Sequence, residues 1–190
     1  MTKKTVAIGF SGGVDSAVAA LILKEQGYEV RCLHLTSPSM YRSEENIESA
    51  RQSADELGLE LSVLDRSDLF VPDVCEEFAD DYINGQTPNP CVRCNRSFKF
   101  AALYEYYRLR GLDAIASGHY AANRFCEAAG RNLFFSVEHN DQSYMLSRVR
   151  PIPEILFPLG GMSKPEVVAY AAAHGLSVAH RPSSMEICFA

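Results

Sequence analysis

Two sets of residues in this sequence could carry chemistry: a glycine-serine turn near the start and cysteines placed near the middle and at the end. The turn is Phe10-Ser11-Gly12-Gly13-Val14-Asp15-Ser16. It follows a short apolar run, Thr5 to Phe10, and precedes an amphipathic run, Ala17 to Gln26, so it reads as strand, tight turn and helix. Gly12 and Gly13 permit a sharp turn and close approach of the backbone to a ligand. A helix opening near Asp15 or Ser16 points its free N–H groups and the positive end of its dipole at the turn. Such a turn suits an anion, and phosphate above all. Ser11 and Ser16 add hydroxyl donors. A turn of this composition that binds nothing is the plainer alternative, and the flanking strand and helix favour the nucleotide.

No lysine follows the glycines as in a Walker A loop, and the spacing is not GxGxxG. Ser-Gly-Gly-x-Asp-Ser after a strand resembles the pyrophosphate loop of ATP pyrophosphatases, which split ATP into an adenylyl group and pyrophosphate. The thiols come later. Thr87-Pro88-Asn89-Pro90-Cys91-Val92-Arg93-Cys94-Asn95 holds two prolines, which fit neither a helix interior nor a central strand. It is expected to be a rigid, extended loop presenting Cys91 and Cys94, with Asn95 or Ser97 capping a helix through Phe98 to Arg110. Cys94, just ahead of that helix and among Arg93, Arg96 and Lys99, is expected to have a thiol pKa below the ~8.5 of free cysteine. Half of a zinc site is the alternative, but closed zinc sites take four ligands and no second CxxC exists. Cys188 lies in the last residues, where a small core hydrophobe is its bland reading. Cys32, Cys75 and Cys126 carry no motif and read as packing residues.

The elements that must position these groups alternate. Tyr28 to Leu35 reads as a second strand, Ser43 to Leu57 as a helix stopped by Gly58, and Leu59 to Leu64 as a third strand. Asp68 to Ile83 reads as mostly helix, interrupted near Pro72, and Asp113 to Tyr120 as the fourth strand and its exit. Strands and helices alternating at these lengths indicate parallel βαβ units, an α/β fold. Ligands of such sheets bind beyond the carboxyl ends of the strands, which brings Leu35, Gly118 and His119 beside the turn. Leu35 reads equally as core, and His119 equally as a local hydrogen-bonding group. Asn123 to Val137 suggests a β-hairpin, Asn140 to Leu146 a short helix with polar residues at its start, and Pro151 to Gly161 a connector. Ser163-Lys164-Pro165-Glu166 is a capping box opening a helix to His174.

With 190 residues, one α/β domain is the default. The start of the chain is not a signal peptide and no run is long enough to span a membrane, so a cytoplasmic protein is expected. In that compartment six cysteines are free thiols, metal ligands or catalysts rather than structural disulfides. The net charge of −6 weighs against strong autonomous RNA binding, although Arg93, Arg96 and Lys99 could make a local basic face.

Taken together, Ser11 to Ser16, Thr87 to Asn95, Gly118-His119-Tyr120-Ala121, Asp141-Gln142-Ser143-Tyr144 and Glu186-Ile187-Cys188-Phe189 occur in the order found in tRNA-specific 2-thiouridylases. The resemblance covers nearly the whole chain. It implies an adenine-nucleotide α-hydrolase-like fold, a parallel sheet with helices on both faces, and one catalytic domain over 1–190 with 147–190 as its extension. It implies a tRNA-uridine 2-sulfurtransferase that uses ATP and Mg²⁺, adenylates the uridine carbonyl and replaces its oxygen by sulfur. Gly9, Phe10, Ser11, Gly12, Gly13, Val14, Asp15 and Ser16 would bind ATP, with Leu35 and Gly118 completing the pocket and Asp15 in the catalytic set. Cys94 would be the nucleophile and Cys188 the persulfide carrier. Asn89, Pro90 and Cys91 would approach the base, and His119, Asn140, Asp141 and Gln142 would meet tRNA. Asn140 stands where the family often has Lys.

Some relatives have Asp at the position of Cys91. Here Cys91, Cys94 and Cys188 form a trio that could instead hold a [4Fe–4S] cluster with one iron open to sulfide. The family continues into further, largely β domains, so this chain is expected to be a fragment or a short form. It would rely on another domain or subunit for tRNA, and on a sulfur donor protein or sulfide. Two other readings stand beside this one: a pyrophosphate-loop enzyme adenylating another base or small molecule, and a non-catalytic nucleotide- or Fe–S-binding subunit.

Overall fold

The computed structural model describes residues 3–180, 188 and 189. Glu186 and Ile187 of the last motif lie outside the described residues. Five parallel strands form one sheet in the order β3-β2-β1-β4-β7: β1 Thr5–Gly9, β2 Glu29–Thr36, β3 Glu60–Asp65, β4 Ala114–Ser117 and β7 Ile155–Leu156. Strands β5 (Ala122–Cys126) and β6 (Arg131–Phe135) form the separate hairpin expected from their turn. The fifth strand differs from expectation. The Pro151 to Gly161 connector contributes two residues that pair Ile155 with Ile115 and Leu156 with Ala116, too short a run to show a period of two.

The central strand explains both layers. Its residues alternate faces. Val6 and Ile8 pack with α1 (Val14–Glu25), α2 (Ser43–Leu57) and α7 (Lys164–Ala173), while Ala7 packs with Leu33, Ile115 and the Phe100 and Leu103 side chains of α6 (Phe100–Arg110). Both faces are covered, as parallel sheets require. The helix boundaries follow the sequence: Gly58 ends α2 at φ 60° and the capping box of Ser163 with Glu166 opens α7.

Residues 67–83 form one continuous helical run: α3 Ser67–Phe70, a π turn Val71–Glu76 and α4 Glu77–Ile83. Pro72 does not interrupt it. The wider turn accommodates a residue with no N–H to donate. A second π turn, Cys94–Lys99, joins α5 (Pro90–Arg93) to α6. The segment expected to be an extended loop is therefore helical from Pro90. Pro90 occupies the first helical position, where its missing N–H costs nothing, and the Asn89 side chain caps the turn by accepting the Cys91 N–H at 3.1 Å.

The strand order reverses between β1 and β4, the switch point at which open α/β sheets bind ligands. In register, Gly9 stands opposite Leu33 and Ser117, so the exits of β1, β2 and β4 open on one edge.

Candidate active site

The turn after β1 is built into this edge. Phe10 donates its N–H to the Leu33 carbonyl at 2.8 Å, and the Phe10 carbonyl lies 2.9 Å from buried His34 Nδ1. Gly13 caps α1, which opens at Val14, one residue ahead of the expected start, and puts Asp15 in its first turn. Ser16 Oγ donates to the Gly13 carbonyl at 2.9 Å and lies 3.2 Å from Ser11 Oγ. Gly12 has φ 78°, and a Cβ there would stand 2.6 Å from the Ala50 nitrogen of α2, while Ser53 Oγ bonds the Gly12 carbonyl at 3.1 Å. Left-handed backbone and contact with another backbone both demand glycine. Gly12→Ala is expected to lower unfolding stability by about 2 kcal/mol, with strained φ supplying ~1 of it, measured as a lowered urea midpoint at unchanged slope.

Asp15 is the electrostatic centre of the turn. Its carboxylate accepts Tyr120 OH at 2.7 Å and Lys164 Nζ at 2.6 Å on each oxygen. Burial, together with the bond to Asp15 and its charge, holds the Tyr120 phenol well above its ordinary pKa. Lys164 escaped the sequence reading because 149 residues separate it from Asp15. A signal was present: a cation in the first turn of a helix opposes the dipole, so Lys164 at the start of α7 calls for a partner elsewhere. Gly118, expected to let a nucleotide approach, instead lets β4 approach the turn itself. A Cβ there would be 2.9 Å from the Asp15 carbonyl carbon.

The thiols lie on the same edge, beyond β2. Cys94 opens the second π turn and is buried in an apolar cluster with Phe70, Val74 and Phe98. Half-buried Leu35, at the end of β2, packs against both this cluster and the sheet core. The expected lowering of the Cys94 pKa is overturned. Burial pushes the thiol up to about 11, and Lys99 opposes this only in part. The helical run opens at Pro90, four residues ahead of Cys94, so Cys94 gains no terminal dipole. Arg93 is also committed elsewhere, to Asp81 at 2.8 Å and to Glu77, which leaves exposed Arg96 and Lys99 of the expected basic face. The Cys188 carbonyl accepts the Tyr41 N–H at 2.7 Å. Its thiol is raised by burial first, then by Cys91, against the pull of Lys99.

Cys91, Cys94 and Cys188 share one electrostatic neighbourhood. Even so, among the described residues no group of three His, Cys, Asp or Glu side chains is arranged to hold a metal ion. The polar residues expected to meet RNA divide. Asn140 and Asp141 are exposed, and bonds from Ser143 and Val137 outweigh burial to hold Asp141 below the usual carboxylate range. Gln142 instead accepts the Tyr120 N–H at 3.1 Å and donates its own N–H to the Tyr120 carbonyl. His119 sits 2.9 Å from Ser117 Oγ with its pKa driven down to about 3 by burial, so it is neutral and offers no charge to a phosphate. Asn89 and Pro90 serve as cap and first turn of α5, with Pro90 buried.

The chain is 40% identical over 205 residues to the tRNA-specific 2-thiouridylase MnmA of Thermus thermophilus, covering 98% of this chain and 54% of that protein. It is 44% identical over 197 residues to the protein of the same name from Cutibacterium acnes, covering 97% and 54%. It thus spans about half the length of the curated relatives it matches. Among solved structures, the U34-tRNA thiolase NcsA of Methanococcus maripaludis with its [4Fe–4S] cluster superposes with a TM-score of 0.59 at 20% identity, over 97% of this chain and 60% of that one. NMN synthetase from Francisella tularensis gives 0.58 at 18%, over 96% and 67%. These two share the fold. The family described as the tRNA methyl transferase HUP domain matches residues 4–190, and the chain belongs to that family.

Proposed function

We propose that this chain is the ATP-using and sulfur-transferring unit of a tRNA 2-thiouridylase. The observation that carries the reading is the gathering, on one sheet edge, of the glycine-serine turn with its Asp15–Lys164 pair and a packed thiol cluster, with Leu35 touching both the cluster and the sheet core. The name of the family mentions methyl transfer, but transfer from a sulfonium donor needs neither a phosphate cradle nor placed thiols. Function is argued from the site, and this site suits activation by a nucleotide followed by attack of sulfur.

A uridine C2 oxygen is a poor leaving group. Its attack on the α-phosphorus of MgATP expels pyrophosphate and makes it part of AMP. The free N–H groups of α1 and the Lys164 ammonium face the phosphates and offset their charge. Cys188, exposed, attacks the outer sulfur of a donor protein's persulfide, the donor cysteine leaves as thiolate, and Cys188 presents the transferred sulfur as its own persulfide. The terminal sulfur attacks C2 and AMP leaves. Cys94 thiolate then attacks Cys188 Sγ, the S–S electrons stay with the sulfur on C2, and 2-thiouridine departs from a Cys94–Cys188 disulfide. Exposed Asn140 and Asp141, with Arg96 and Lys99, offer contacts to RNA that a further domain or subunit would complete. No described helix is long and apolar enough to cross a membrane.

Anaerobic incubation with tRNA, MgATP and a persulfide donor should give 2-thiouridine and AMP in equal amounts. AMP with no thionucleoside would redirect the reading to another acceptor. Cys91→Ser tests the role of the third thiol: thiolation is expected to fall by no more than about tenfold. Joint loss of activity and of iron that the anaerobically purified unsubstituted protein holds stoichiometrically would contradict that expectation.

A further inference from the structure

Cys75 carries no sequence motif, but the fold places it beside Cys94 and Cys188. It lies in the first π turn, Val71–Glu76, which packs directly on the second π turn, Cys94–Lys99, where Cys94 sits. Turns of this kind are frequent at functional sites. Phe70 and Phe98 meet across the two runs with ring centroids 5.0 Å apart. The residue after Cys188 closes the arrangement: the Phe189 ring stands edge-on to Phe70 at 5.8 Å and to Phe78 at 5.3 Å. Phe70 and Phe78 flank Cys75 in the chain, and Cys75 and Phe189 pack on the same apolar cluster as Cys94. The charge coupling agrees. Cys75 feels Cys188, and Cys94 feels Cys188, Cys91 and Cys75.

Cys94 is buried, whereas Cys75 is half-buried and Cys188 exposed. The disulfide left by sulfur transfer therefore joins a buried sulfur to an exposed one, and a thiol already packed on the same cluster attacks the exposed sulfur with the advantage of proximity. We propose that Cys75 is the resolving thiol of this centre, attacking Cys188 Sγ of the Cys94–Cys188 disulfide to give a Cys75–Cys188 disulfide and free Cys94. This step rests on the sulfur-transfer reading above. One S–S bond breaks and one forms. The departing electron pair stays on Cys94, which takes up the proton that Cys75 gave up, so no oxidant is needed. An external dithiol then supplies two electrons to reduce Cys75–Cys188.

The test maps disulfides in the intact chain. Wild-type protein is carried through one turnover without reductant, trapped with N-ethylmaleimide and digested for mass spectrometry. A parallel sample is oxidised with glutathione disulfide in place of turnover. A Cys75–Cys188 peptide is expected in both, and in oxidised Cys94→Ser protein. Cys75→Ser is expected to accumulate Cys94–Cys188 instead and to lose about tenfold in multiple-turnover rate with dithiothreitol. Cys75 that remains fully alkylated while Cys188 is in a disulfide and thionucleoside is formed would overturn this proposal alone. A Cys75–Cys188 peptide in oxidised protein that forms no thionucleoside would overturn the sulfur-transfer reading, and the resolving role with it.

Discussion

Cys94→Ser should abolish 2-thiouridine formation, a loss of at least ~10³-fold, because a serine hydroxyl cannot break an S–S bond. AMP formation should survive the change, since Cys94 belongs to the thiol cluster and not to the phosphate turn. The environment of Cys94 adds a pH signature. Its thiol is raised to about 11 by burial, so near neutral pH the thiolate is on the order of one part in ten thousand. A raised pKa on an acid means that the reactive, charged form grows as pH rises. The thiolation step should therefore accelerate about tenfold per pH unit between pH 7 and 10, while AMP formation shows no matching rise. Single-turnover rates across that range check this. A flat thiolation profile would mean that another group supplies the attacking sulfur.

Lys164→Met should strike the other half of the site. Its ammonium meets both oxygens of Asp15 at 2.6 Å. Without it, the Asp15 carboxylate would face incoming phosphates uncompensated, at the same helix end that must hold them. AMP formation is expected to fall about 100-fold, equivalent to roughly 3 kcal/mol of lost transition-state stabilisation. Lys164→Arg should recover part of this, because the charge remains while its reach and geometry change. Stability should move little: the pair is partly exposed, and such pairs contribute on the order of 1 kcal/mol or less. A large drop in rate with an unmoved unfolding midpoint separates a role in phosphate binding from a role in holding the fold.

The parts of this molecule that were legible in advance are those governed by local chemistry. The glycine turn, the apolar spacing of α2 with Gly58 after it and the capping box of α7 each carry their own signal, and each forms where expected. The errors have physical causes as well. Pro88 and Pro90 argue against a helix interior, yet Asn followed by Pro is also a cap and first turn, and α5 uses it so. Cys94 was judged by its charged sequence neighbours, while its pKa is set by Phe70, Val74 and Phe98, of which only Phe98 is close in sequence. Lys164 and Cys75 gain their meaning only from long-range packing, across α7 onto the turn and across one π turn onto another.

The central claim is that the uridine C2 oxygen leaves as part of AMP. It is tested most directly with tRNA labelled with ¹⁸O at uridine C2, incubated with the protein, MgATP and a persulfide donor. The account predicts one ¹⁸O atom in the phosphate of each AMP released, matched by one 2-thiouridine. AMP carrying only unlabelled oxygen, alongside thiouridine, would contradict it.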